Sequence, residues 1–295
     1  MKLPVNFREA LIAYTFGWRW GKEYLGYQRR YRRPSAKGAY KGIDGPYNLE
    51  FDGSGRKAVK TIDELVEAIG GATEVCEHYV TQATYPGTVE KHKFWDYADI
   101  DSDGPRFHRK IVWDCDPAPG TDSIIEELDR LRQVQSRFTF KGKSPFLTYS
   151  SGRGLYLVGW FYDTVRTSDE WRPLPNPQVV KRIWLLIALE FGLMVDMGVY
   201  PSSKARVTKV PYTRNLKTAK GTNAIYISRR MTEAQVQAAV TAPEMVDHAH
   251  FDFPTPLEFH DLLQELDRPE LSNEQLWSGV KRMVNSRREA HKKAF

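Results

Sequence analysis

Cysteine is scarce: only Cys76 and Cys115 occur in 295 residues. Two thiols cannot complete a four-cysteine zinc site, and they do not make a disulfide scaffold. No apolar run approaches the roughly 18–20 residues of a membrane span, so no segment that crosses a membrane is expected. The first residues, MKLPVNFREALIAYTFGW, lack a cleavable apolar stretch and a small-residue cleavage site. The expected compartment is therefore a reducing cytoplasm. Bulk disorder is not expected either, because 41% of the residues are hydrophobic and 27% charged. The length suits one large domain or two modest ones, at about 100–200 residues each.

Acidic residues are missing where basic ones gather. Residues 1–60 hold thirteen Lys and Arg against five Asp and Glu, a net of +8 in a chain whose total is +6. Met197 to Thr232 contains no Asp or Glu, but carries Lys204, Arg206, Lys209, Arg214, Lys217, Lys220, Arg229 and Arg230. The basic character is local. It points to a polyanionic partner: nucleic acid, nucleotide or membrane surface.

Periodicity gives a coarse map. Phe7, Leu11, Tyr14 and Trp18 share one helical face, which predicts a helix over Val5–Tyr31, followed by a basic loop over 32–58. Thr61 with Glu64 predicts a capped helix ending at Gly70-Gly71. Strands are expected at Val75–Thr84, Lys110–Trp113, Pro145–Tyr149, Gly154–Phe161, Val207–Val210 and Ala224–Ser228. Helices are expected at Asp122–Gln135, Pro177–Phe191, Thr232–Val240, Pro256–Glu265 and Asn273–Lys293. Strand pairs mixed with helices indicate an α+β fold with a sheet core and a helical tail.

Three segments carry chemistry. Asp114 and Asp116 stand at i and i+2 at a strand end, so both carboxylates share a face and can hold a divalent cation. Ser150-Ser151-Gly152-Arg153-Gly154 is a turn whose glycines allow close backbone approach and whose Ser and Arg suit phosphate. It lacks the Gly-Lys-Ser/Thr ending of a P-loop. Asp196 to Thr218 sets one carboxylate upstream of many cations and hydroxyls. Two other patterns are weaker. Asp99–Gly104 begins like a calcium loop, but Lys110 stands where the bidentate Glu belongs. His248-Ala249-His250 resembles the paired histidines of rolling-circle nickases, but lies among Asp and Pro.

Taken in order, IVWDCDP (111–117), SGRGLY (151–156) and VDMGVYPSSKARVTKVPYTRNLKTAKG (195–221) resemble the catalytic core of the archaeo-eukaryotic primase superfamily. The similarity is to its small primase subunit and primase-polymerases, and covers about residues 70–230. The resemblance implies an RRM-like palm sheet with an additional N-terminal α/β unit. On that pattern, residues 1–245 form the catalytic domain, with the N-terminal unit over about 1–105 and the palm over about 106–245. Residues 246–295 form a helical extension. Asp114, Asp116 and Asp196 match the metal-binding carboxylates of a two-metal nucleotidyltransferase using Mg²⁺ or Mn²⁺, with no zinc. Ser151, Gly152, Arg153 and Gly154 match residues around the incoming nucleotide's phosphates. Arg206, Lys209, Thr213 and Lys217 fall at further basic and hydroxyl positions of the nucleotide site. Tyr156 and Asn215 replace the family's two histidines; both keep a hydrogen-bond donor without its charge.

The implied activity is a DNA primase or primase-polymerase joining NTPs or dNTPs on single-stranded DNA during replication. Arg29, Arg30, Arg32 and Arg33, interleaved with Tyr27 and Tyr31, suit template contact. A helicase or a large primase subunit is a further expected partner, and plasmid or viral replication fits the short tail. Rival readings are a repair-type polymerase of the same superfamily and a non-catalytic nucleic-acid-binding replication initiator.

Overall fold

Strands buried along nearly their whole length build two sheets, and helices cover them. In the computed structural model, residues 6–34, 40–43, 56–70, 76–88, 106–117, 121–150, 154–163, 172–199, 207–215, 221–222, 225–241 and 252–294 are described. The chain opens with helix α1, Phe7–Tyr14, which buries Phe7, Ala10, Leu11 and Tyr14. It ends well before Tyr31. The Thr15 hydroxyl folds back onto the Leu11 carbonyl at 2.7 Å, and Gly17 and Gly21 adopt φ of 82° and 77°. A left-handed φ at two glycines turns the chain out of the helix.

The residues expected to continue that helix form strand β1, Glu23–Pro34. The expectation of a helix there fails because long-range pairing overrides it. β1 also extends into the expected basic loop. It pairs antiparallel with β2 (Tyr40–Ile43), β3 (Arg56–Val59) and β4 (Cys76–Pro86), and β4 in turn pairs with β8 (Val207–Lys209). Helix α2, Ile62–Gly70, follows β3. Its cap is the expected one: Glu64 N–H donates to the Thr61 hydroxyl at 3.1 Å, and the Glu64 carboxylate accepts from Lys60 N–H at 2.6 Å.

The second sheet is built on β5 (Lys110–Cys115), β6 (Phe146–Ser150) and β7 (Leu155–Tyr162). β7 is central, with β5 and β6 both antiparallel to it. β11 (Tyr226–Ile227) extends the sheet beyond β6, and β12 (Leu257–Glu258) pairs parallel with β7. β9 (Arg214–Asn215) and β10 (Gly221–Thr222) make a small separate hairpin. Helices α3 (Thr121–Arg137) and α4 (Pro177–Glu190) lie against this sheet. α4 starts with Asn176 accepting from Val179 N–H at 3.0 Å and Pro177 at its first position. Trp113 and Trp184 lock β5 to α4 by exchanging indole N–H bonds, to the Trp184 carbonyl at 2.9 Å and the Val112 carbonyl at 3.1 Å.

α5 (Glu233–Thr241), α6 (Phe259–Leu266) and α7 (Asn273–Ala294) complete the α+β architecture. Arg182 on α4 ties down the α6–α7 connection. It bonds Asp267 at 2.5 Å and the carbonyls of Arg268 and Leu271 at 2.8 and 3.0 Å. The two sheets are joined by a buried pair, Arg109 with both oxygens of Glu23 at 2.9 Å. β8 belongs to the first sheet although it follows β5, β6 and β7 of the second, so the chain crosses back between them. No helix among the described residues is long and apolar enough to cross a membrane.

Candidate active site

β5 carries its acidic pair to the end of the second sheet. There it meets residues 194–196 in a short antiparallel ladder. Asp196 N–H donates to the Asp114 carbonyl at 2.6 Å, Asp116 N–H donates to the Met194 carbonyl at 2.8 Å, and Cys115 bridges Val195. In this register Asp196 lies directly opposite Asp114. Residues opposite one another, and residues two apart on one strand, share a face. The three carboxylates therefore belong to one face, while Cys115 and Val195 are buried on the other. Asp114 and Asp196 are half-buried and Asp116 is exposed.

Like charges directly opposite on paired strands repel. A cation shared between them lowers that repulsion. The donors are oxygens alone, which fits a hard divalent ion. Among the described residues, no group of three or more His, Cys, Asp or Glu is placed to hold a metal ion by itself. Mg²⁺ is commonly held by one or two carboxylates together with substrate phosphates, so an open, one-sided carboxylate face suits it. Asp196 is also positioned locally, because its Oδ1 accepts Gly198 N–H at 2.8 Å.

Gly154 stands beside this face. A Cβ at residue 154 would lie 2.3 Å from the Cys115 carbonyl oxygen and 3.0 Å from Pro117 Cδ. Only glycine permits that approach. It seats Gly154, the last residue of the expected phosphate turn, on the strand end that bears the aspartates. Ser151, Gly152 and Arg153 of that turn lie outside the described residues, as do Arg206 and Lys217. The Asp99–Gly104 and His248–His250 segments are outside them too.

Tyr156 pairs across β7 with Asp114. It is buried, and its phenol is pushed far toward the neutral form, first by burial, then by the charge of Asp114 and by Tyr14, Tyr79 and Glu77. Tyr79 donates to Glu77 at 2.9 Å, and Lys209 lies opposite Tyr79 on β8. Lys209 is buried. The first sheet thus brings Tyr79, Glu77 and Lys209 toward the aspartate end of the second. Thr213 is buried and its hydroxyl donates to the Val210 carbonyl at 2.8 Å, so its proton is engaged in the turn before β9. Asn215 pairs with Gly221 in the β9–β10 hairpin.

Arg29 requires a correction. Expected at the template, it is buried, and its guanidinium donates to the Ala68 carbonyl at 2.7 Å and the Tyr27 hydroxyl at 3.3 Å. A cation at the C-terminal end of α2 stabilises the helix dipole, and that is where the charge goes. Arg30, Arg32 and Arg33 continue along β1, opposite Glu77, Gly42 and Lys41.

Two residues escaped the sequence reading. Glu127 is fully buried on α3, and its Oε1 accepts Met194 N–H at 2.8 Å. Burial raises its pKa, against the opposing charges of Arg130 and Arg287. The signal was present: Glu127 interrupts the apolar stripe Ile124, Leu128, Leu131 and Val134. Lys110, four residues before Asp114, is buried with its ammonium 4.2 Å from the centre of the Tyr14 ring. Burial lowers its pKa to about 7.

No family model matches the sequence, and no curated protein matches it. Among solved structures, the chain is similar to the polymerase domain from Mycobacterium tuberculosis Ligase D in complex with DNA. The TM-score is 0.40 and the identity 16%, over 92% of this chain and 90% of that one. A likeness of that size leaves the chemistry to be read from the residues themselves.

Proposed function

We propose that this protein is a template-directed nucleotidyltransferase, a DNA primase or primase-polymerase, with an RRM-like palm formed by the second sheet. The observation that carries the reading is the register that sets Asp196 opposite Asp114, with Asp116 on the same face. A carboxylate face of this kind beside a glycine turn is suited to phosphoryl chemistry. Divalent cations bound there supply charge neutralisation at the triphosphate and a more acidic attacking hydroxyl. Asp114, Asp116 and Asp196 hold the cations. Arg153 and Lys217 hold the triphosphate, with Lys209 adding positive potential from β8, and these charges stabilise the phosphoryl group as it is attacked. Arg30, Arg32 and Arg33 bind the template backbone. Gly154 keeps the start of β7 against the strand end that bears the carboxylates.

The test is incorporation of labelled nucleotide on single-stranded DNA, with Mg²⁺ or Mn²⁺, with and without a primer. The expected result is product from the wild type and none from Asp114→Ala/Asp116→Ala, whose circular dichroism stays native. Product only with a primer moves the assignment to a repair-type polymerase. One observation favours a non-catalytic reading: Tyr156, at the position of a family histidine, is buried and neutral beside Asp114. That reading predicts DNA binding by folded protein without any incorporation.

A further inference from the structure

Three separated pieces of chain meet at the end of the second sheet opposite the aspartates. The first is the tight turn between α3 and β6. Phe140 and Lys143 exchange backbone bonds of 2.9 and 3.0 Å, and Lys141 and Gly142 both have positive φ, 50° and 77°. The second is the Arg229-Arg230 turn after β11. Arg229 donates to the Thr139 hydroxyl and the Gly142 carbonyl, both at 3.1 Å. The third is the segment before β12, where Thr255 N–H donates to the Ser144 carbonyl at 3.1 Å.

The surface they form is unusual for its exposed rings. Phe140 is 74% exposed and Phe253 is 52% exposed. Lys141, Lys143, Arg229 and Arg230 are exposed on the first two of these three pieces. The Lys141 ammonium lies 5.2 Å from the centre of the Phe140 ring. Among the described residues, none of these four cations has a carboxylate within ion-pair distance. The one acid adjoining Phe253, Asp252, accepts the Tyr226 hydroxyl. Lys141 sits where this turn favours Asn or Gly, so a side chain is kept at a conformational cost.

We propose that this surface binds single-stranded nucleic acid, with bases stacking on Phe140 and Phe253 and phosphates meeting Lys141, Lys143 and Arg230. Exposed rings beside cations that have no carboxylate partner among the described residues match a strand with π-faces and one charge per nucleotide. It does not match an acidic peptide, which offers charge without flat rings to stack. Arg229 is a positioning residue, because its guanidinium ties the two turns together. The surface is separate from the candidate active site. The five residues of β6 stand between them, about 17 Å at strand rise. A strand bridging both would be held by the stacking surface while its other part is copied.

Binding is measured by fluorescence anisotropy with an oligothymidine of about twenty nucleotides, long enough to span a single-stranded site. No metal or nucleotide is added, and the protein carries Asp114→Ala, so the outcome does not depend on catalysis. Phe140→Ala with Phe253→Ala is expected to weaken binding roughly ten-fold or more. Lys141→Gln, Lys143→Gln and Arg230→Gln together are expected to lower the salt slope by about 0.7 for each lost phosphate contact. Photocrosslinking of an iodouracil oligonucleotide should label Phe140 or Phe253. All five side chains are exposed, so the variants keep their fold and their melting temperature. Unchanged affinity, an unchanged salt slope and crosslinks elsewhere would overturn the proposal and leave a protein partner as the occupant. Loss of incorporation with this binding intact would strike the nucleotidyltransferase reading alone.

Discussion

His78 and His108 sit where water does not reach. The Tyr27 hydroxyl meets His78 Nδ1 at 2.6 Å, and Arg29 stands beside that hydroxyl. Burial, helped by the Arg29 charge, lowers the His78 pKa to about 3. Burial, helped by Arg106, does the same to His108. Both imidazoles are neutral in the folded protein. An unfolded histidine takes up its proton near pH 6.5. Between there and about pH 3 the unfolded state binds the extra protons, so their contribution is complete above pH 6.5 and is lost as pH falls. Two such groups give a slope of about 2.7 kcal/mol per pH unit. Lys110 acts in the same direction at higher pH. Its folded pKa of about 7 lies below the unfolded value, so stability climbs as pH rises from 7 towards 10. Urea denaturation across pH 4.5–9 should show stability rising throughout. A flat profile between pH 5 and 7 would mean the two histidines are solvated.

The elements around the carboxylates are braced from behind. α3 offers Glu127 to the Met194 N–H, and Arg287 on α7 donates to the Gly192 carbonyl and faces Glu127 at 3.8 Å. One helix from the middle of the chain and one from its end thus fix the short strand that carries Asp196. Glu127→Ala leaves the buried Met194 N–H without its acceptor and removes the buried carboxylate that Arg130 and Arg287 face. The expected loss is about 3 kcal/mol of stability, read by urea denaturation, because breaking a buried charged network strands its partners. Glu127→Gln keeps an oxygen for Met194 and should recover part of it. An unchanged midpoint for Glu127→Ala would show that the strand is held by β5 alone. Elements of this kind differ in how far the sequence discloses them. β5, β6 and β7 are apolar runs closed by Asp, Ser and Gly, and α4 announces itself with Asn176 and Pro177. β1 does not. Its run YLGYQRRYRR has cations and tyrosines where a strand signal needs aliphatic alternation, and only pairing with β2, β3 and β4 makes it a strand. β8 is three residues long, and its partner is more than a hundred residues away.

At the scale of the whole molecule, two sheets meet through Arg109 and Glu23, and the chain returns from the second sheet to the first at β8. The acidic pair was legible because i and i+2 on a strand share a face. The third carboxylate lies eighty residues on, and its place opposite Asp114 is a tertiary pairing that no local pattern contains. The inward turn of Arg29 was hidden for the same reason, since its acceptor is on α2. The same juxtaposition of Asp114 with Asp196 is what the functional reading depends on. It is tested most directly by titrating Mn²⁺ into the protein with a non-hydrolysable nucleoside triphosphate and following the free-ion signal by electron paramagnetic resonance. Saturable binding to the wild type, lost in both Asp114→Asn and Asp196→Asn while neither variant melts earlier, is the predicted result. Equal Mn²⁺ binding by all three proteins would contradict it.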